Sequence, residues 1–246
     1  MARTCPFSLC DGSGILVDED TRTSSFCRCR DQVVAERQAK GLRAVIPKLY
    51  AGSSWDRYPV PQINQAAVYA VRRYTSQIDE RLDQGEGLWM FGGHGTGKTT
   101  LAMLVSKAAI SAGHSVAIYS LPRLLAEIRR TFDEGSPITQ TQLIDQLTAV
   151  DLLHIDDVGA ESTSPWVLEQ LYAIVNARYE AKKAIVVTTN LNEREELAEQ
   201  IGARTVSRLE EMCEVLPVTG ADLRRKTYDL VDEPDPVASP VTWDRA

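Results

Sequence analysis

The chain has 246 residues, 43% of them hydrophobic, with 27 basic against 34 acidic side chains for a formal net charge of −7. That length accommodates a full α/β core and a small accessory module, and the charge excludes a polycation that coats nucleic acid. With no run of 18 apolar residues, and with Met1–Cys10 lacking the charged-then-apolar order of a signal peptide, no membrane partner is expected and the compartment is read as cytoplasmic.

The charge is uneven. Past Tyr228, Asp229, Asp232, Glu233, Asp235 and Asp244 face only Arg245, a net of −4, whereas residues 1–48 hold eight basic and six acidic groups, a net of +2. The body is therefore only mildly acidic, and a local basic stripe for nucleic acid is compatible with it.

Cys5, Cys10, Cys27 and Cys29 lie within the first thirty residues. Two close pairs joined by a loop containing Gly12-Ser13-Gly14 point to a small zinc-held knuckle or ribbon, because so short a segment cannot build its own core. The spacings C-x4-C and C-x-C depart from the usual C-x2-C, so a flexible arm of reduced thiols is the competing reading. Cys213 stands in an apolar stretch and reads as packing. Asp31–Leu42 reads as a short polar helix ending at Gly41, which completes an N-terminal module over 1–45. Residues 46–62, with Pro47, Pro59, Pro61 and Gly52-Ser53-Ser54, read as a linker or strap. From Ile63, apolar Ala67, Ala70, Val71, Tyr74, Ile78 and Leu82 recur at helical spacing up to a stop at Gly85.

The apolar run before Phe91 then meets Gly92-Gly-His-Gly-Thr-Gly-Lys-Thr99, a G-x-x-x-x-G-K-[ST] phosphate-binding loop. Its glycines let successive backbone N–H groups converge on phosphate, so Gly92, Gly93, His94, Gly95, Thr96, Gly97, Lys98, Thr99 and Thr100 form the expected nucleotide-binding set. Lys98 would reach the β/γ-phosphates of ATP, and the Thr99 hydroxyl would take a Mg²⁺ position.

Further strands are expected at Val116–Tyr119, Leu152–Ile155, Ala184–Thr188 and Val215–Val218, after the first at Leu88–Phe91, with helices near 98–112, 121–132, 139–149, 164–181 and 202–212. Such alternation implies a parallel sheet covered on both faces, with ligands beyond the strands' carboxyl ends. Leu121, Leu124, Leu125, Ile128 and Phe132 make one helical face, and Arg123, Arg129 and Arg130 lie off it, either as a solvated charged face or as contacts to the phosphates of single-stranded DNA. Leu152-Leu-His-Ile-Asp-Asp157 is a strand ending in two carboxylates: Asp156 fits the Mg²⁺-holding acid and Asp157 is placed to orient the attacking water. His154 reads as a core histidine. Arg178 continues the apolar stripe of its helix, so it either caps buried carbonyls or reaches a neighbouring subunit. Asn190 ends the next strand, beside Asp156 if the strands are parallel neighbours, within reach of a γ-phosphate or water.

These motifs in this order resemble the DnaC/DnaI/IstB group of AAA+ ATPases, helicase loaders and transposition ATPases. The matching stretches are Ile46-Pro-Lys-Leu-Tyr, Ser54-Trp-Asp-Arg-Tyr58, Gly92–Thr99, Leu152–Glu161, Asn176-Ala-Arg-Tyr179, Val187–Leu191, Arg204–Leu209 and Gly220-Ala-Asp-Leu-Arg224, spanning about residues 46–226. The resemblance implies a P-loop AAA+ (ASCE) core over 63–228 with a five-stranded parallel sheet and no C-terminal lid domain, and the charge run past Tyr228 reads as an acidic, disordered tail over 229–246. It places Asn190 at sensor I, Arg208 as an arginine finger directed at a neighbouring subunit's nucleotide, and Arg224 at sensor II. The segment carrying Arg123, Arg129 and Arg130 is similar to the insertion that lines the DNA groove of AAA+ rings. A replicative helicase of the DnaB type, single-stranded DNA and self-association are the implied partners, with ATP, Mg²⁺ and structural Zn²⁺ as cofactors and slow, DNA- or partner-stimulated ATP hydrolysis as the activity. An IstB-like transposition ATPase and a nucleotide-gated adaptor that scarcely hydrolyses are the alternatives.

Overall fold

Short apolar runs, three of them buried on both sides, make the strands of the central sheet. A computed structural model describes residues 5, 7–11, 13, 15–18, 23–30, 46–159, 164–191 and 194–224. The expected polar helix over Asp31–Leu42, Gly12 and Gly14, Glu161 and the acidic tail lie outside the described residues.

Strands β3 (Gly87–Phe91), β4 (Val116–Ser120), β5 (Leu152–Val158), β6 (Ala184–Thr189) and β7 (Cys213–Pro217) form one parallel sheet in the order β4-β5-β6-β3-β7. Alternate residues enter two cores. Leu88, Met90, Leu152 and Val186 pack under helices α2 (Gln65–Ser76), α3 (Ile78–Gln84) and α4 (Lys98–Ser111). Trp89, Leu153, Ile155 and Val187 pack under α5 (Leu121–Arg130), α6 (Gln140–Ala149), α7 (Pro165–Glu180), α8 (Arg194–Ile201) and α9 (Ala203–Met212). Helices on both faces of a parallel sheet are the expected α/β architecture. Ahead of it, β1 (Ile15–Asp18) and β2 (Thr23–Phe26) pair antiparallel, and a short α1 (Lys48–Ala51) starts the strap. No helix among the described residues is long and apolar enough to cross a membrane.

Several elements differ from the sequence expectation, β5 among them, which runs to Val158 rather than Ile155. The helix expected up to Gly85 breaks at Gln77, where the hydroxyls of Thr75 and Ser76 bond back to the Arg72 and Arg73 carbonyls and compete with the helical ladder. Helix α5 stops at Arg130, the Thr131 hydroxyl taking the Ile128 carbonyl at 2.6 Å, so Phe132 is not on the apolar face but 60% exposed. Helix α8 was not foreseen, because Glu195, Glu196 and Glu199 dilute its apolar signal. Strand β7 begins at Cys213, two residues early, directly where α9 ends.

Arg178 lies on α7 and is completely buried. Its guanidinium donates to the carbonyls of Leu147, Thr148, Val150, Asp151 and Ala184, which sit at the end of α6 and the starts of β5 and β6. Of the two readings of this residue, the structure selects the cap of buried carbonyls. Burial pulls the guanidinium down to about 9 while the Asp151 carboxylate acts the other way, so it stays charged at neutral pH.

Candidate functional site

Residues Gly92–Gly97 turn the chain from β3 into α4. Two of the turns exclude other residue types. Gly95 has φ +72° and Gly97 φ +101°, and a Cβ would strike the Asp222 carboxylate at the first and Ile63 at the second. The next residue, Lys98, opens α4 and is only 5% exposed. Its ammonium donates to the Gly92 and Gly93 carbonyls at 2.8 and 2.7 Å. Burial pulls its pKa down, and the carboxylates of Asp157 and Asp156 oppose that shift.

Asp156 and Asp157 form a bulge near the end of β5. The register runs Ile155 to Val187 and then Val158 to Thr189, so two residues of β5 face Thr188 alone. Thr188, a fully buried residue that sequence reasoning passed over, ties both together: its hydroxyl donates to Asp156 Oδ1 at 2.6 Å and accepts the Asp157 N–H at 3.0 Å. Asp157 takes φ +57°, a left-handed conformation that aspartate tolerates better than most residues. The bulge also moves the expected neighbour of Asn190, whose amide meets Asp157 Oδ1 at 3.2 Å rather than Asp156.

Burial pushes the Asp156 carboxyl up, but the neighbouring His154, Thr188 and Thr99 side chains outweigh it and hold the group below its usual range. His154 is indeed a core residue, with Nδ1 3.0 Å from the Ser106 hydroxyl and Nε2 3.9 Å from Asp156. The hydroxyl of Thr99 and the Asp156 carboxylate thus adjoin, a pair of hard oxygen donors suited to Mg²⁺.

The strap closes over this site. Tyr50 sets its phenol against Thr99, and burial followed by the Asp156 charge raises its pKa. Lys107 on α4 holds the strap by donating to the Ala51 and Ser53 carbonyls, both at 2.8 Å. Tyr58 donates to the Leu223 carbonyl, and the Leu223 N–H bonds the Gly95 carbonyl at 3.0 Å. Arg224 follows, its Nε 3.2 Å from Asp222 Oδ1 and its charge acting on Lys98 and Tyr50.

The remaining candidates stand apart from these contacts. Arg208 is on α9, at a cavity of about 410 Å³ lined also by Tyr172, Ala203, Arg204 and Ser207. The arginines of α5 are exposed but engaged. Arg129 lies 4.8 Å from the Trp166 ring centroid, Arg123 lies 5.8 Å from that of Tyr119, and Arg130 pairs with Glu127 at 3.2 Å.

At the N-terminus the four Sγ atoms of Cys5, Cys10, Cys27 and Cys29 all lie within 4.8 Å of one another, with Cys5–Cys27 at 3.8 Å and Cys10–Cys29 at 3.4 Å. Zn–S bonds of about 2.3 Å in a tetrahedron would separate sulfurs by about 3.8 Å, so the set could hold such an ion. Burial opposes ionisation of Cys5, but the backbone N–H groups of Leu9, Cys10 and Phe7 outweigh it and draw the thiol down to about 6. Cys213 packs as expected, its thiol facing the Ile185 carbonyl and pushed up by burial.

Comparison with known proteins gives this geometry a context. A family model described as IstB-like ATP binding protein matches residues 72–230. The replicative helicase loader DnaC of Buchnera aphidicola subsp. Schizaphis graminum is 29% identical over 193 residues, 78% of this chain and 76% of that protein. Its Escherichia coli K12 counterpart is 29% identical over 182 residues, 73% and 72% of the two chains. Among solved structures, a crystal structure of the DnaC helicase loader superposes with a TM-score of 0.59 at 27% identity, covering 70% of this chain and 99% of that one. The replication initiator DnaA bound to AMPPCP and single-stranded DNA shares the fold, with a TM-score of 0.58 at 20% identity over 70% of this chain and 51% of that one.

Proposed function

The chain belongs to the IstB-like ATP-binding protein family, and from that premise we propose that it is an ATPase that loads a replicative DNA helicase onto single-stranded DNA. One observation carries the reading: relatives named as helicase loaders align over about three quarters of both chains, and the family match over residues 72–230 contains the Lys98–Asp156–Asp157–Asn190 cluster. The module over 1–45 docks the helicase, 46–62 is the strap, 63–228 is the ATPase domain and 229–246 an acidic tail. The setting is the cytoplasm.

In this reading Gly92–Thr100 hold the nucleotide phosphates, Lys98 compensates the charge of the terminal pair, and Thr99 and Asp156 would hold Mg²⁺, which polarises the transferred phosphoryl group. Asp157 orients the attacking water and takes its proton. Asn190, already on the Asp157 carboxylate at 3.2 Å, fixes that carboxylate and the water. Arg224 senses the γ-phosphate within the subunit, and Arg208 neutralises charge on the nucleotide of the next. With turnover dependent on a neighbour's arginine, hydrolysis is slow until DNA or the helicase orders the assembly.

The test is loading itself. Added to a replicative helicase and circular single-stranded DNA, the chain should make unwinding ATP-dependent. Failure to bind any such helicase, with capture of a transposase instead, would move the assignment to the transposition ATPases. Replacing Arg129 and Arg130 by alanine should weaken binding to single strands and flatten its log–log salt dependence by about 1.4, at about 0.7 per lost phosphate contact. An unchanged slope would leave those arginines as solvated surface. Metal analysis of the full chain should return about one zinc per chain, lost with Cys27→Ser. Metal-free protein with a native melting curve would replace the zinc knuckle by free thiols.

A further inference from the structure

Arg208 is not a free surface arginine. Its guanidinium carbon lies 4.2 Å from the centroid of the Tyr179 ring, and its Nη1 lies 3.4 Å from Glu211 Oε1. The second oxygen of the same carboxylate accepts the Tyr179 hydroxyl at 2.6 Å. Tyr179 comes from α7, whereas Arg208 and Glu211 sit one turn apart on α9. The three therefore form a closed triangle across two packed helices, with the Arg208 side chain still 34% exposed beside its cavity.

The chemistry of each side follows. A ring stacked on a guanidinium covers its face, and all five N–H donors lie in the plane, so stacking restrains the arginine without consuming a donor. A carboxylate alone does the opposite: it would take two donors in a fork and hold the cation against itself. Here the Tyr179 hydroxyl occupies one carboxylate oxygen, and only a long, single contact to Arg208 is left. The cation is thus confined in direction but weakly held at its tip.

We propose that Tyr179 is the positioning residue for Arg208, its ring aiming the guanidinium and its hydroxyl keeping Glu211 from clamping it before a neighbouring subunit's phosphate arrives. This rests on the reading of Arg208 as a finger acting between subunits. A flexible arginine spends little time in any one pose, and confinement raises the fraction poised to meet the transferred phosphoryl group. Ring and hydroxyl therefore have separable effects.

Steady-state hydrolysis with single-stranded DNA and the helicase tests both. Tyr179→Leu should lower kcat about tenfold with the KM for ATP within twofold, since its own phosphate loop is untouched. Tyr179→Phe keeps the ring and should lose about threefold, and adding Glu211→Ala to it should restore the rate. Direction is read by mixing. Tyr179→Leu with Lys98→Ala should recover turnover, because the Lys98→Ala protomers present an intact Tyr179–Arg208 pair to a working loop. Tyr179→Leu with Arg208→Ala should not, since neither presents one. If Arg208→Ala itself turns over normally, or if its mixture with Lys98→Ala shows no recovery, the finger falls and the proposal with it. If Arg208→Ala is slow and complementable while both Tyr179 variants run at the wild-type rate, only the role of Tyr179 is overturned. Should Tyr179→Leu fail to fold, the Tyr179→Phe and Glu211→Ala pair decides: a wild-type rate, or a deficit that Glu211→Ala does not relieve, refutes it.

Discussion

Lys98→Ala is expected to weaken ATP binding by at least about a hundredfold, as lost charge-assisted hydrogen bonds of about 1.5–3 kcal/mol each require. The ammonium is nearly buried and its neighbours are few: the Gly92 and Gly93 carbonyls, with Asp156, Asp157 and Arg224 exerting charge on it. Two carboxylates facing a phosphate cradle repel a nucleotide's anionic tail, and removing the lysine unmasks that repulsion as well as deleting its donors. Titration of a fluorescent ATP analogue with Mg²⁺ measures the change, and far-ultraviolet circular dichroism separates it from unfolding. Undiminished affinity in a folded variant would refute the role of Lys98 and, with it, the placement of the nucleotide at Gly92–Thr100.

Much of this site was legible in the chain because it is local. A glycine-rich loop between a buried strand and a helix announces itself, and so do two acids at the end of Leu152–Ile155, since neither depends on distant residues. The three inner strands were legible for the same reason, each a continuous apolar run required by burial on both faces, whereas the edge strands β4 and β7 are only partly buried. What the sequence concealed is relational. The bulge after Ile155 gives Thr188 both acids and sends Asn190 to Asp157, yet nothing near Asp156 marks an extra residue in the register. Tyr50 meets Thr99 from 49 residues away along the chain (99 less 50), and such a contact leaves no periodic trace. The break at Gln77 is of another kind: the apolar stripe continues through it, and only the hydroxyls of Thr75 and Ser76 betray the interruption.

Arg178→Leu should cost about 3–5 kcal/mol, the range for removing one partner of a buried polar network. At 2–4 °C per kcal/mol for a domain of this size, the midpoint of thermal unfolding should fall by about 10 °C. The leucine fills much of the volume, so the loss is one of satisfaction rather than packing: five carbonyls at the junction of α6, β5 and β6 lose their donor. Arg178→Lys separates charge from geometry. An ammonium retains the cation beside Asp151, but its three donors on one nitrogen cannot span carbonyls presented by three elements, so most of the deficit should persist. Because the side chain has no exposed surface, assembly should be spared: at low temperature both variants should bind ATP and associate like the parent chain. A wild-type melting curve with impaired association would transfer Arg178 from the core to the subunit interface. The position where a charge interrupts an apolar stripe would then be a contact between copies rather than the pin that holds β5 and β6 to the helices above them.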